Sequence, residues 1–126
     1  MRWTHRLWMM LAAISGFVSV VAGAFAAHGL TDRASEVMRT GATYEFMHAM
    51  ATFACSMFIQ VGARQARFAP AFFLGGTVLF SGSLYALALG APRWTGIVTP
   101  FGGLLFLAGW AVLAWAARGV DQPAGA

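Results

Sequence analysis

The sequence predicts an all-α membrane protein: an antiparallel four-helix transmembrane bundle with a short interfacial helix between the first and second spans, forming a single transmembrane domain over residues 1–126. Three observations carry that expectation. Hydrophobic residues make up 60% of the chain and charged ones only 10%, far from the roughly 25% charge of a soluble domain. Four apolar blocks, about 7–27, 44–63, 69–89 and 97–117, reach the roughly 20 residues that a helix needs to cross the hydrocarbon core. The links Arg64 to Phe68 and Gly90 to Gly96 are so short that the helices they join must lie side by side and antiparallel.

The first block follows Arg2 and Arg6 and ends in alternating alanines (Ala22, Ala24, Ala26), so a cleaved secretory signal is the competing reading. Its apolar run of about 20 residues exceeds the 7 to 15 of a signal core, and a span is expected. Ser15, Ser19, Gly23 and Ala27 recur every four residues, a small-residue row of the kind that lets helices approach closely in lipid.

The segment T-D-R-A-S-E-V-M-R-T-G, about 31–41, reads as the interfacial helix. Thr31 or Asp32 offers a cap, Glu36 comes early, Arg39 comes late and Gly41 offers a stop. Ala34, Val37 and Met38 share a face at helical spacing, which suits a helix lying on the outer membrane surface. A solvated connector is the alternative.

In the second span, Tyr44, Glu45, His48, Thr52, Ser56 and Gln60 fall within roughly 160° of one another at about 100° per residue. Phe46, Met50, Phe53 and Met57 occupy the opposite face. The polar stripe is expected to point into the bundle, because unpaired polar groups are costly in hydrocarbon. The third span carries Gly75, Gly76 and Gly82, and the fourth Gly102, Gly103 and Gly109. These read as packing seams within one bundle, with a homodimer seam as the alternative.

All eight basic residues are Arg, against four acidic ones. They are scattered between apolar blocks and form no basic stripe, which argues against nucleic acid and for the lipid bilayer as partner. Arg2, Arg6, Arg64, Arg67 and Arg118 fall on one side of the spans, and Arg33, Arg39 and Arg93 on the other. That bias predicts a multi-pass protein of the bacterial inner membrane with both termini in the cytoplasm. Cys55, the lone cysteine, sits in an apolar run and is expected to be packing.

Depth estimates put His28, Tyr44, Glu45, His48, Ser81, Ser83, Tyr85 and Thr99 in the outer half, with Glu45 and His48 within a turn of the boundary. A partly hydrated polar cluster there is the candidate ligand-binding site. Glu45-x-x-His48 would supply two metal ligands from one helix face, yet di-metal bundles need two such motifs and a further Glu from each of two other helices. A mononuclear site from His28, Glu45 and His48, or haem on two histidines, is chemically possible. Neither is expected, and no metal or cofactor is assigned. No catalytic triad, phosphate loop, cysteine pair or dinucleotide fingerprint is present, so an enzyme ranks last. The leading expectation is a structural or accessory protein acting through helix contacts, with itself as a homo-oligomer or within a larger membrane complex. The alternative is a small transporter or a ligand-, lipid- or quinone-binding protein that uses the polar cluster.

The blocks G-A-F-A-A-H-G-L (23–30), Y-E-F-M-H-A-M-A (44–51), L-F-S-G-S-L-Y (79–85) and T-P-F-G-G-L-L-F-L-A-G-W (99–110) resemble, in order, those of domain of unknown function family 423, a family of small inner-membrane proteins. The resemblance covers nearly the whole chain. It implies four transmembrane helices and no established activity. The family commonly has Gly at the position of Ala26 and Gln at that of Glu45, which argues for hydrogen bonding rather than an obligatory charge at the latter. The matching positions, Pro100 among them, carry no known role.

Overall fold

A computed structural model describes residues 4–121. Among these residues there are four α-helices and no strand: α1 (His5–His28), α2 (Asp32–Gln60), α3 (Ala69–Ala88) and α4 (Thr99–Ala116). Short 3-10 turns cover Arg64–Phe68, Arg93–Ile97 and Ala117–Gly119. Helix α1, and α3 and α4 taken with their flanking turns, are long and apolar enough to cross a membrane. Helix α2, with 29 residues, is the longest, but Glu45, His48 and Gln60 keep its apolar half below that hydropathy.

The expected interfacial helix at 31–41 does not exist as a separate element. It is the first third of α2, which runs without a break through Gly41. Gly41 does not end the helix; it makes room, because a Cβ there would lie 2.7 Å from Cε1 of Tyr85. Neither Thr31 nor Asp32 supplies a side-chain cap. Met38, expected on a membrane-surface face, is buried with Ala22, Ala26 and Ala42, and the Ser35 hydroxyl donates to the Ala26 carbonyl at 2.7 Å. The segment therefore packs along the end of α1.

Each helix packs along the next in sequence, while α1 and α4 do not pack along one another. The helices thus form an open arc. Burial follows a three-four alternation: Ala12, Ser15, Ser19, Ala22 and Ala26 on α1, and Gly102, Phe106, Gly109, Leu113 and Ala116 on α4. That 3.5-residue average keeps a seam on one face of nearly aligned helices. The four-residue row expected on α1 drifts off that face by about 40° per step at 100° per residue. Gly23 is accordingly half-buried and Ala27 exposed.

The seam between α3 and α4 interleaves phenylalanine and glycine. A Cβ on Gly109 would meet the Phe73 ring at 2.5 Å, one on Gly76 would meet the Phe106 ring at 2.5 Å, and one on Gly102 would run into the backbone of Phe80. The Phe73 and Phe106 rings thus fill the space left by glycines on the other helix, while at Gly102 the two backbones themselves come close. Of the glycines read as packing seams, Gly76, Gly102 and Gly109 have the facing helix close against them. Gly82 faces open space, Gly75 comes no nearer than 3.6 Å to Leu105, and Gly103 no nearer than 4.0 Å to Phe80.

Candidate functional site

The polar residues of the expected cluster divide into small, separately paired groups. Glu45 is buried on α2 and accepts two hydrogen bonds, one from the Ser15 hydroxyl on α1 at 2.9 Å and one from the Tyr85 hydroxyl on α3 at 2.6 Å. A single carboxylate thus ties three helices together. One turn further along α2, His48 is also buried. Its Nε2 accepts from the indole N–H of Trp110 on α4 at 3.1 Å, and its Nδ1 lies 2.7 Å from the Tyr44 carbonyl. An indole nitrogen can only donate, so Nδ1 carries the imidazole proton and donates to Tyr44. The ring stacks on Phe106, with centroids 3.5 Å apart and planes 6° from parallel.

Two further pairs complete the set. Ser81 donates to the Gly41 carbonyl at 2.7 Å, which pins α3 to α2 at the point where Tyr85 passes Gly41. The Ser83 and Thr99 hydroxyls share a short hydrogen bond between α3 and α4. Along the rest of the stripe, Thr52 bonds the His48 carbonyl of its own helix and Ser56 meets Nδ1 of His5 at 3.2 Å. Gln60 is exposed, and Tyr44 is more exposed than its stripe neighbours.

His28 stands apart, exposed at the end of α1, and is not brought to Glu45 or His48. Both ring nitrogens of His48 are engaged within the chain. Among the described residues no group of three or more His, Cys, Asp or Glu side chains converges as metal ligands would. Ser19 bonds the Gly16 carbonyl of its own helix, and Cys55 is buried and bonds the Ala51 carbonyl.

Glu45 also sits further along its helix than a start at Tyr44 would place it. Glu45 lies thirteen residues past Asp32, about 20 Å along the axis at 1.5 Å per residue. It also faces Ser15, near the middle of α1. With α2 starting at Asp32 rather than at Tyr44, the carboxylate lies near the middle of the helix. Three contributors were not singled out as site residues in the sequence. Ser15 looked like a packing residue, while Phe106 and Trp110 looked like ordinary apolar bulk. Trp110 had one usable signal: an indole away from a span end needs an acceptor.

Two clefts lie outside these groups. One, of about 620 Å³, is lined by Arg33, Ala34 and Val37 of α2, Leu87 and Ala88 of α3, and Ala91, Arg93 and Gly96 of the following connection. The other, of about 340 Å³, is lined by Glu36, Arg39, Thr40, Thr43 and Tyr44. Neither reaches Glu45, His48, Ser81 or Tyr85.

Comparison with known proteins places these residues in a family. The model for the protein of unknown function DUF423 matches residues 22–103, a range that includes Glu45, His48, Ser81, Tyr85 and Thr99. The chain belongs to DUF423. Relatives of this DUF423 protein include the UPF0382 inner membrane protein YgdD of Escherichia coli (strain K12), 43% identical over 115 residues that cover 87% of this chain and 88% of the relative. A UPF0382 membrane protein of Haemophilus influenzae is 42% identical over 112 residues, covering 86% and 90%. One of Staphylococcus haemolyticus is 37% identical over 112 residues, covering 86% and 92%. No solved structure matches the DUF423 chain. With its apolar helices, this DUF423 member is a membrane protein.

Proposed function

We propose that this chain is a structural or accessory protein of the inner membrane that acts through helix contacts with a second copy or a larger membrane complex. In this reading α2 is the fourth span, held between α1 and α3, and both termini are cytoplasmic. One observation carries it: the interior polar side chains are spent on one another. Ser15 and Tyr85 hold Glu45, Trp110 and the Tyr44 carbonyl hold His48, and Ser83 holds Thr99. A transport or ligand site between the helices would need some of these groups turned toward a passenger. The arc meanwhile leaves Phe17 and Val20 on α1, and Leu104 and Leu107 on α4, largely exposed. These apolar faces suit lipid or another helix.

Mass measurement of the native assembly, extracted with its lipid, tests the proposal. A defined oligomer or a heteromeric particle is expected. A strictly monomeric particle with no partner protein sinks it. The transporter reading has its own test, since flux into proteoliposomes that is lost in His48→Ala would favour it instead.

A further inference from the structure

The cleft at the α2 start and the α3–α4 connection has a composition unlike the paired interior. Its walls are apolar: Ala34 and Val37 from α2, Leu87 and Ala88 from the end of α3, and Ala91 beyond it. Its charged lining is entirely cationic, from Arg33 and Arg93. Among the described residues neither guanidinium has a hydrogen-bond or ion-pair partner. Arg39, on the same side by sequence, lines the other cleft together with Glu36.

Backbone geometry adds to the same corner. The first-turn amides of an α-helix have no partner within the helix, and α2 has no side-chain cap to satisfy them. An uncapped helix start carries a partial positive charge that favours an anion. Gly90, at φ +104, turns the chain after α3 and so returns Arg93 to the cleft that Arg33 lines. Asp32 is the acidic residue in the first turn of α2 and Glu36 follows one turn on, but neither lines this cleft, whose charged lining is Arg33 and Arg93.

We propose that this cleft binds the phosphate of an anionic phospholipid headgroup, with Arg33 and Arg93 holding the phosphodiester and the Ala34, Val37, Leu87 and Ala88 wall lying against the glycerol and upper acyl chain. A free phosphate ion shares the recognition chemistry but has no use for the apolar wall. Guanidinium groups give planar, paired hydrogen bonds to phosphate oxygens. The volume of about 620 Å³ is in the range of small-molecule sites. The site lies apart from the Glu45 and His48 groups, so the inference stands or falls independently of the function proposed above.

The test uses the full chain in nanodiscs containing equal amounts of phosphatidylglycerol and phosphatidylcholine, released for native mass spectrometry. Wild type is expected to keep phosphatidylglycerol in preference to phosphatidylcholine. The Arg33→Gln/Arg93→Gln variant is expected to lose that preference by on the order of tenfold, the size expected for two cationic side chains at a membrane surface. Arg39→Gln, in the other cleft, is expected to keep it. An unchanged preference in the double variant overturns the proposal. So does an equal loss in Arg39→Gln, which would mean that only overall charge matters. Displacement of the lipid by millimolar inorganic phosphate would assign the cleft to a soluble anion and overturn the lipid reading. Helix content by circular dichroism separates a lost site from a lost fold.

Discussion

The α3/α4 seam and the junction of α1, α2 and α3 hold helices together by opposite means. At the first, the Phe73 and Phe106 rings enter the gaps left by Gly109 and Gly76, the backbone of Phe80 lies directly against Gly102, and the Ser83–Thr99 pair closes one end. At the second, a buried carboxylate collects two hydroxyls. Where lipid removes the hydrophobic drive between helices, shape and hydrogen bonds are what remain. This chain assigns one to each half. At Gly76, Gly102 and Gly109 the shape-based half has no room for an added Cβ, whereas the polar half is expected to tolerate exchange of one hydrogen-bonding group for another.

The largest effect should come from Gly102→Ala. The added Cβ would overlap the Phe80 backbone, which has no rotamer to yield, so about 3 kcal/mol or more should be lost, at the upper end of overpacking costs. Unfolding in mixed micelles by added denaturing detergent measures it. Wild-type stability in this variant would mean that the seam is looser than the rings suggest.

Glu45→Leu comes next. It leaves the Tyr85 and Ser15 hydroxyls without their acceptor, and the same assay should show a loss of about 2 kcal/mol, the penalty of an unsatisfied buried polar group. Glu45→Gln should cost less than about 1 kcal/mol, because an amide oxygen still accepts and a hydroxyl can rotate to receive the amide N–H. Equal losses in the two variants would mean that charge, not hydrogen bonding, ties the junction.

The smallest effect, of opposite sign, belongs to Gly82→Ala. Nothing lies within 4 Å of the new Cβ, and alanine is the better helix former by about 0.5 to 1 kcal/mol. A stability gain of that order is expected. A loss in a detergent that preserves oligomers would instead show that Gly82 faces a second copy.

The same contrast explains what could be read in advance. Long apolar blocks and short links were enough for the helices and their order. The stripe on α2 was also readable, and Glu45, His48, Thr52 and Ser56 of that stripe are buried. Partner identity was not readable, because a serine looks alike whether it packs, as Ser19 does against its own helix, or reaches a carboxylate, as Ser15 does. Glycine was equally ambiguous. Gly41 looked like a stop and Gly82 like a contact, and only the position of a neighbouring ring decides each. The position of Glu45 along its helix was not readable either, since taking Gly41 as a boundary hid three turns of α2.

The alternation of ring and glycine between α3 and α4 also works as an alignment code. Sliding one helix by a single turn would set Phe73 against Phe106 and Gly76 against Gly102, so rings would collide at one level and a void would open at the next. The pairing therefore favours one register of α3 against α4, much as the teeth of a zip refuse to close when offset. An added residue in the connection after Leu89 would have to bulge outward, because the seam offers no second position at which to close.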